Sequence, residues 1–311
     1  MQIYVSGSLA YDRIMNFDGR FSDHILPDKI HVLNVCFNVN GLQEKLGGTA
    51  GNIAYGLAQL GESPTVLACL GRDGGRYLEW MRQQGIGVEC VRQVEEEFTA
   101  GAYITTDQSD NQITGFNPGA MKFSCCFEPE GMDPRNSLAI VAPGNLEDLT
   151  QLPVAFRQRG VPFIFDPGQS LNILSGEQLV ESITGALALI SNDYELELIT
   201  RKTGLDLAGL LKLAQAVITT KGDQGSILHQ PGGQVFIPIV PASEVKDPTG
   251  AGDAYRSGLL KGLAQGLPLA EACLWGAALS SYAVAIYGTQ EYRVDPADFQ
   301  SRLAQAQAGR A

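Results

Sequence analysis

DPTGAGDAYRSG, residues 247–258, runs from a glycine-rich turn straight into a helical pattern, with an acidic residue, Asp253, where the helix begins. The first N–H groups of a helix have no intrahelical acceptor and carry partial positive charge, so they hold anions such as phosphate. A carboxylate in the same place suits a base that takes the proton from a hydroxyl as it attacks phosphorus. An ordinary helix cap uses the same residue types, so the stretch alone leaves both readings open.

On the amino-terminal side of this run, short apolar segments alternate with helical patterns. Residues 3–5, 65–70, 138–142, 163–165 and 187–190 read as strands, and residues 49–60 and 75–84 as helices. Ser175 with Gln178 resembles a capping box opening a further helix. Asp295-Pro296 opens the last helix, with proline where a missing N–H is tolerated. Such alternation, with nearly continuous apolar strands, predicts an α/β fold with a mostly parallel sheet covered on both faces. Ligands of such sheets sit beyond the carboxyl ends of the strands.

Two stretches break the pattern. Residues 13–46 hold little helical periodicity, with a strand-like part at residues 31–39. Residues 98–118 read as a hairpin, with apolar alternation at 102–106, a polar turn at 108–111 and a second arm at 113–116. The two are expected to pair as a small β lid (13–46 and 98–118) over a core made of 1–12, 47–97 and 119–311. Two unrelated surface excursions are the competing reading.

Composition narrows the classes. The 311 residues are 44% apolar and 18% charged, the balance of a globular enzyme rather than a disordered chain. A net charge of −12 without a Lys/Arg run argues against a nucleic-acid surface. The six cysteines form no C-x-x-C pair, which suits reduced thiols. No signal-peptide pattern opens the sequence, and no apolar run approaches the ~20 residues of a membrane span. A cytoplasmic protein with no membrane partner is expected.

Further constellations carry chemistry. Gly47-Gly48-Thr49-Ala50-Gly51-Asn52 precedes the first long helix. Its glycines allow close backbone approach and Asn52 offers both donor and acceptor, which suits a polyhydroxyl ligand as well as a plain tight turn. Asp12, a few residues after the first strand, can accept from adjacent hydroxyls or stand as a loop carboxylate. Asn192-Asp193-Tyr194-Glu195 places oxygen ligands at a strand exit, as Mg2+ prefers. The turn at residues 219–225 passes beneath a nucleotide or is a simple hairpin. The chain has no G-x-x-x-x-G-K-[ST], no G-x-G-x-x-G after the first strand, no H-R-D loop and no G-x-S-x-G.

With these stretches in view, the chain resembles, over nearly its full length, the ribokinase (PfkB-type) family of sugar and nucleoside kinases. GGTAGNIAYGLAQLG (residues 47–61) resembles its first signature, DPTGAGDAYRSG its second, and NDYE (residues 192–195) its N-x-x-E motif. Within the family, residues 7–31, FNPGAM (116–121), FDPGQS (165–170) and GTQE (288–291) look most like bacterial adenosine kinases. The resemblance implies a ribokinase-like three-layer α/β fold with a small β-sheet lid that often forms a homodimer contact. It implies that Asp253 is the catalytic base and that the backbone of Gly250, Ala251 and Gly252 forms the anion hole. Asp12, Gly47, Gly48 and Asn52 would hold the ribose hydroxyls, with Ser8 and Gln169 nearby. Asn192 and Glu195 would organise Mg2+, Glu195 through water. Thr220, Lys221, Gly222 and Gly225 would line the ATP site. Asp247, Thr249 and Gly288 would shape a monovalent-cation loop of the kind that takes K+.

The implied reaction is ATP-dependent phosphorylation of the adenosine 5′-hydroxyl. An adenine needs an apolar, aromatic slot, which Phe116 fits, or Phe37 from a neighbouring subunit's lid. The chain departs from similar adenosine kinases at Ala102, where they place an aromatic. Tyr103 is adjacent, but strand neighbours face opposite sides. A kinase for another nucleoside or a furanose such as ribose or fructose is the alternative acceptor. A non-catalytic nucleoside- or sugar-binding regulator is the alternative class.

Overall fold

The structure is a computed structural model that describes residues 1–308. The chain opens with β1 (Gln2–Ser6), β2 (Ala10–Phe17) and β3 (Val39–Gly47), followed by α1 (Thr49–Gln59), β4 (Thr65–Gly71), α2 (Gly75–Gln83) and β5 (Val91–Val94). A hairpin of β6 (Ala100–Thr106) and β7 (Gln112–Asn117) follows. Next come β8 (Ser137–Val141), α3 (Leu146–Arg159), β9 (Phe163–Phe165), α4 (Gly176–Ile183), β10 (Ala188–Asn192), α5 (Asp193–Thr203) and α6 (Leu207–Leu213). The chain closes through β11 (Val217–Thr220), β12 (Ser226–Gln230), β13 (Gly233–Ile237), α7 (Ala251–Ala264), α8 (Leu269–Ala283) and α9 (Pro296–Ala308).

Nine strands form one sheet in the order β13-β12-β11-β10-β9-β8-β1-β4-β5. It is parallel from β11 to β5; at the other edge β12 runs reversed, so its pairings with β11 and β13 are the antiparallel ones. Strand side chains alternate between two apolar layers: Ile140 and Ile164 join one cluster, Val141 and Phe165 the other. Both faces are therefore covered, as a parallel sheet with nearly continuous apolar strands requires. The order reverses between β1 and β8, which makes a topological switch point, where crevices form at strand carboxyl ends. There Ser8 N–H donates to the Pro143 carbonyl at 2.9 Å.

The second sheet, β3-β2-β6-β7, stands apart as the lid. The 98–118 hairpin is present, with β6 and β7 antiparallel. The strand expected at residues 31–39 is not: residues Pro27–Val32 make short 3₁₀ turns and the strand begins only at Val39. Phe37 turns inward onto Phe17 and Phe21, with ring centroids 4.8 and 5.0 Å apart, which makes it a local core residue rather than a free aromatic. Sequence reading also passed over β2, whose apolar and polar residues show no clean alternation because both of its faces are only partly covered. No helix among the described residues is long and apolar enough to cross a membrane.

Candidate active site

The amino-terminal end of α7 is built by Gly250. It caps the helix in the left-handed region, with φ of 78°, and a Cβ there would meet the Thr289 methyl at 2.7 Å. Only glycine takes that backbone angle without strain. Ala251 N–H donates back to the Pro248 carbonyl at 3.2 Å and closes the turn, which leaves the peptide N–H groups of Gly252 and Asp253 at the helix mouth, where the helix itself supplies no acceptor.

Asp253 sits partly open at this mouth, yet the surrounding protein strips most of its water. That burial pushes its pKa up to about 6 against an ordinary 3.8; Asn52 and the Arg256 charge pull it down, and Asp166 adds to the rise. Its Oδ2 accepts from Asn52 Nδ2 at 2.8 Å. Asn52, expected at the ribose, is thus tied to Asp253, and its Oδ1 accepts from Gln290 Nε2 at 3.1 Å. The structure makes Asn52 a partner of Asp253 first, with one Nδ2 hydrogen left for a ligand.

One turn along α7, Arg256 is buried. Its Nε donates to the Asp166 carboxylate and its Nη1 to the Gly252 carbonyl at 2.9 Å. Burial works against its charge, but the carboxylates of Asp166, Asp253 and Glu195 outweigh that and hold its pKa above the ordinary value. Its bond to Gly252 O anchors the Gly252–Asp253 peptide, which carries the Asp253 N–H. Neither Arg256 nor Asp166 was given a role from sequence, although both lie inside quoted motifs. The missing signal was their contact, across 90 residues of chain.

Asp166 follows β9, Asn192 ends β10 and Thr220 ends β11, so their side chains arrive at adjacent strand ends; β10 and β11 pair Asn192 with Thr220 in register. Asn192 and Glu195 form a reciprocal capping box: Glu195 N–H donates to Asn192 Oδ1 at 2.7 Å, and Asn192 N–H to Glu195 Oε2 at 2.8 Å. This occupies Asn192 Oδ1 and one Glu195 oxygen and leaves Glu195 Oε1 unengaged. Burial raises the Glu195 pKa. Asp166 Oδ1 is buried without a hydrogen-bond partner. No group of three or more His, Cys, Asp or Glu among the described residues is arranged to hold a metal ion by itself.

A mainly apolar cavity of about 320 Å3 opens beside the α7 mouth. Thr220, Gly222, Gly225, Ala251 and Gly252 line it, as expected of a nucleotide slot; Lys221 is not among its lining residues. The turn that joins β11 to β12 is therefore both a hairpin and a cavity wall. Val245, Pro248 and Val284 complete the apolar wall; Pro248 lies in the 247–258 signature, and no local motif marks Val245 or Val284.

On the small sheet, Asp12, Ala102 and Phe116 are register neighbours across β2, β6 and β7 and share one face of the lid. Tyr103 faces the other way and accepts from Arg13 Nη1 at 2.9 Å, so it does not replace the missing aromatic. Burial raises the Asp12 pKa. A Cβ on Gly47 would meet Asp12 Oδ2 at 2.5 Å, and one on Gly48 would meet the Ser8 carbonyl at 2.6 Å. Gly48 is thus required by packing against the β1–β2 link, and Gly47 leaves room for the Asp12 carboxylate. Ser8 Oγ accepts from Thr49 N–H at 3.0 Å, capping α1. Phe116 is 53% exposed, and Gln169 is exposed on the turn after β9.

The cation loop finds no support in this geometry. Asp247 Oδ1 accepts from Thr249 N–H at 2.9 Å, closing a small turn. Lys45 Nζ donates to the Tyr287 carbonyl at 3.1 Å, and a Cβ on Gly288 would lie 3.0 Å from that ammonium. A fixed positive charge already stands there.

The pattern of pfkB family carbohydrate kinases matches residues 19–295. A nucleoside kinase of Methanocaldococcus jannaschii is 33% identical over 260 residues, covering 83% of this chain and 85% of its own. Its solved structure, described as an archaeal member of the ribokinase family, superposes with a TM-score of 0.87 over 98% of each chain. A nucleoside kinase of Burkholderia thailandensis in complex with inosine is 38% identical, with a TM-score of 0.86 over 99% of each chain. The same protein in complex with ADP-inosine is 40% identical, with a TM-score of 0.84 over 99% of this chain and 97% of that one.

Proposed function

The chain belongs to the pfkB family of carbohydrate kinases, and on that premise we propose that it transfers the γ-phosphoryl group of ATP to the 5′-hydroxyl of a purine nucleoside. The observation that carries this reading is the pairing of Asp253 with the α7 mouth: a carboxylate with a raised pKa stands among helix-start N–H groups, beside an apolar cavity of nucleotide size. A base whose pKa lies near 6 is ionised at neutral pH and still basic enough to take up a proton.

Asp253 receives the proton of the 5′-hydroxyl as that oxygen closes on the γ-phosphorus in line. The N–H groups of Gly252 and Asp253 meet the equatorial oxygens, where negative charge gathers in the transition state. Arg256 holds the Gly252–Asp253 peptide, and with it the Asp253 N–H, and limits how far the base's pKa rises. Glu195 Oε1 is the oxygen that would bind the waters of a hard cation, with the buried, unpaired Asp166 Oδ1 adding negative charge behind it. Mg2+ entering with the donor would be held there and would supply charge neutralisation to the phosphates.

Asp12 and the spare Nδ2 hydrogen of Asn52 take the ribose hydroxyls, and Phe116 stacks on the base. Ala102 beside Phe116 widens the slot. Inosine bound by a relative 38% identical over its full length favours a purine acceptor broader than adenosine alone. Lid residues 13–46 and 98–118 close over the acceptor and exclude water, which would otherwise compete for the phosphoryl group. Leu26, Ile30, Val32 and Leu42 stand more than half exposed on the lid, and a second lid is their proposed cover, giving a homodimer.

The test is ADP release with ATP and a panel of adenosine, inosine, guanosine, ribose and fructose. Purine nucleosides are expected to exceed the free sugars by at least tenfold in kcat/KM. Equal or better turnover of ribose or fructose would replace the acceptor, and binding without ADP release would replace the enzyme by a sensor.

A further inference from the structure

Behind Asp253 runs a chain of hydrogen bonds whose direction is set from its far end. α2 carries Tyr77 and Trp80 three residues apart, on one helical face. Trp80 Nε1 donates to Gln290 Oε1 at 3.2 Å. Gln290 Nε2 donates to Asn52 Oδ1 at 3.1 Å and to the Tyr77 hydroxyl at 2.7 Å. Tyr77 in turn donates to the Gly47 carbonyl at 2.7 Å. Asn52 Nδ2 then donates to Asp253 Oδ2 at 2.8 Å. Gln290, Asn52 and Tyr77 are all buried.

Two members of this chain cannot reverse. An indole N–H only donates and a backbone carbonyl only accepts. Trp80 demands that Gln290 turn its oxygen toward the indole. Gly47 O takes the only hydrogen of Tyr77, so Tyr77 must accept from Gln290 and Gln290 must present its nitrogen. Both anchors select the same orientation of the Gln290 amide. That orientation requires Asn52 to offer its oxygen to Gln290 and its nitrogen to Asp253. Gly51 leaves the room for this: a Cβ there would lie 1.9 Å from the Tyr77 hydroxyl and 2.9 Å from Gln290 Nε2.

We propose that Trp80, Tyr77 and Gln290 are positioning residues that lock Asn52 as a donor to Asp253 and so hold the base in its proton-accepting form. A protonated Asp253 Oδ2 would face a donor it cannot bond, whereas a free Asn52 could turn over and accept from it. The proposal rests on Asp253 being the base. Its other neighbours are Arg256 on α7, Asp166 after β9 and Tyr292 after α8. None of these is altered in the test, and Tyr77 and Tyr292 stay neutral across the pH range used, because burial raises both pKa values.

The test measures the proton affinity of Asp253 without turnover. Chemical unfolding of the ligand-free protein is followed from pH 4 to 8 in wild type, Trp80→Phe, Tyr77→Phe and the double variant, each with and without Asp253→Asn. The pH at which each pair diverges reads the folded-state titration of Asp253. Each single variant retains one anchor, and less than a threefold rise in proton affinity is expected. The double variant retains neither, and a rise of about tenfold is expected. Should the double variant not fold, Gln290→Leu severs both anchors at one point and is expected to give the same rise. Proton affinity within threefold of wild type in the double variant, or in Gln290→Leu in its place, would overturn the proposal. So would a single variant matching the double. The acid limb of kcat/KM is then recorded for the same proteins. A shifted Asp253 titration with an unmoved limb leaves the relay standing and refutes Asp253 as the base.

Discussion

Replacing Asp253 by asparagine should make the protein more stable as it makes it inactive. The side chain stays the same size, and its amide oxygen can still accept from Asn52 Nδ2, so what changes is the buried charge. The carboxyl pKa rises from 3.8 in the unfolded chain to about 6 in the fold. At about 1.4 kcal/mol for each tenfold in proton affinity, the charged form costs about 3 kcal/mol more folded than unfolded. Because the folded pKa is the higher one, the folded state binds this proton more tightly. Its stabilising share is complete below pH 3.8 and is lost as pH rises through about 6. The substituted amide never carries that charge, so the variant gains the difference only where wild type is ionised. With an unfolding entropy of about 2.1 cal/mol/K per residue over 311 residues, 3 kcal/mol is about 5 °C in Tm. Thermal unfolding of both proteins at pH 7.5 and pH 4.5 reads this directly. The expected result is a gain of about 5 °C at the higher pH, shrinking toward zero at the lower. Turnover should fall by about 10³-fold with nucleoside binding retained. No gain at pH 7.5, or an equal gain at pH 4.5, would refute the reasoning.

Other outcomes follow from the same geometry. Arg256→Met strands the buried Asp166 carboxylate, and a loss of about 3–5 kcal/mol in chemical denaturation is expected, together with an upward move of the kcat/KM acid limb as the Arg256 charge leaves Asp253. For wild type, kcat/KM should fall tenfold per pH unit below about pH 6, because only the ionised base accepts the proton; a flat profile down to pH 4.5 would exclude Asp253. Gly250→Ala forces a side chain onto φ of 78° and against Thr289, so a loss of about 1–3 kcal/mol is expected in urea unfolding, with kcat reduced more than KM is raised. Phe116→Ala should raise KM for purine nucleosides by about tenfold, as loss of a stacked base does, and leave ribose kinetics unchanged; an equal effect on ribose would remove Phe116 from the purine slot.

Legibility in the sequence followed burial. Strands such as β8, β9 and β10 are covered on both faces and read as unbroken apolar runs, and the α7 signature announces its own turn through Gly250 and Gly252. The lid is different. In β2 and β3 both faces are partly wet, so Asp12, Arg13 and Lys45 interrupt any alternation, and residues 31–39 read as a strand where Phe37 in fact closes a small aromatic cluster. Motif reading located Asp253, Asn52 and Glu195, because each sits within a few residues of a glycine turn or strand end. It could not see what they touch. Arg256 meets Asp166 across 90 residues, and Gln290 meets Tyr77 across 213; such pairs leave no periodicity and no local spacing. Asn52 shows the same limit: its residue type suits a ribose, and only the fold shows its amide bonded to Asp253 as well.

The decisive measurement is phosphorus NMR of the product formed from ATP and inosine. A resonance coupled to the two 5′-methylene protons, absent when Asp253 is replaced by asparagine, is the expected result. Phosphate attached at another ribose oxygen, or the same product still formed by the Asp253→Asn variant at a comparable rate, would contradict the assignment of Asp253 as the base that prepares the 5′-hydroxyl.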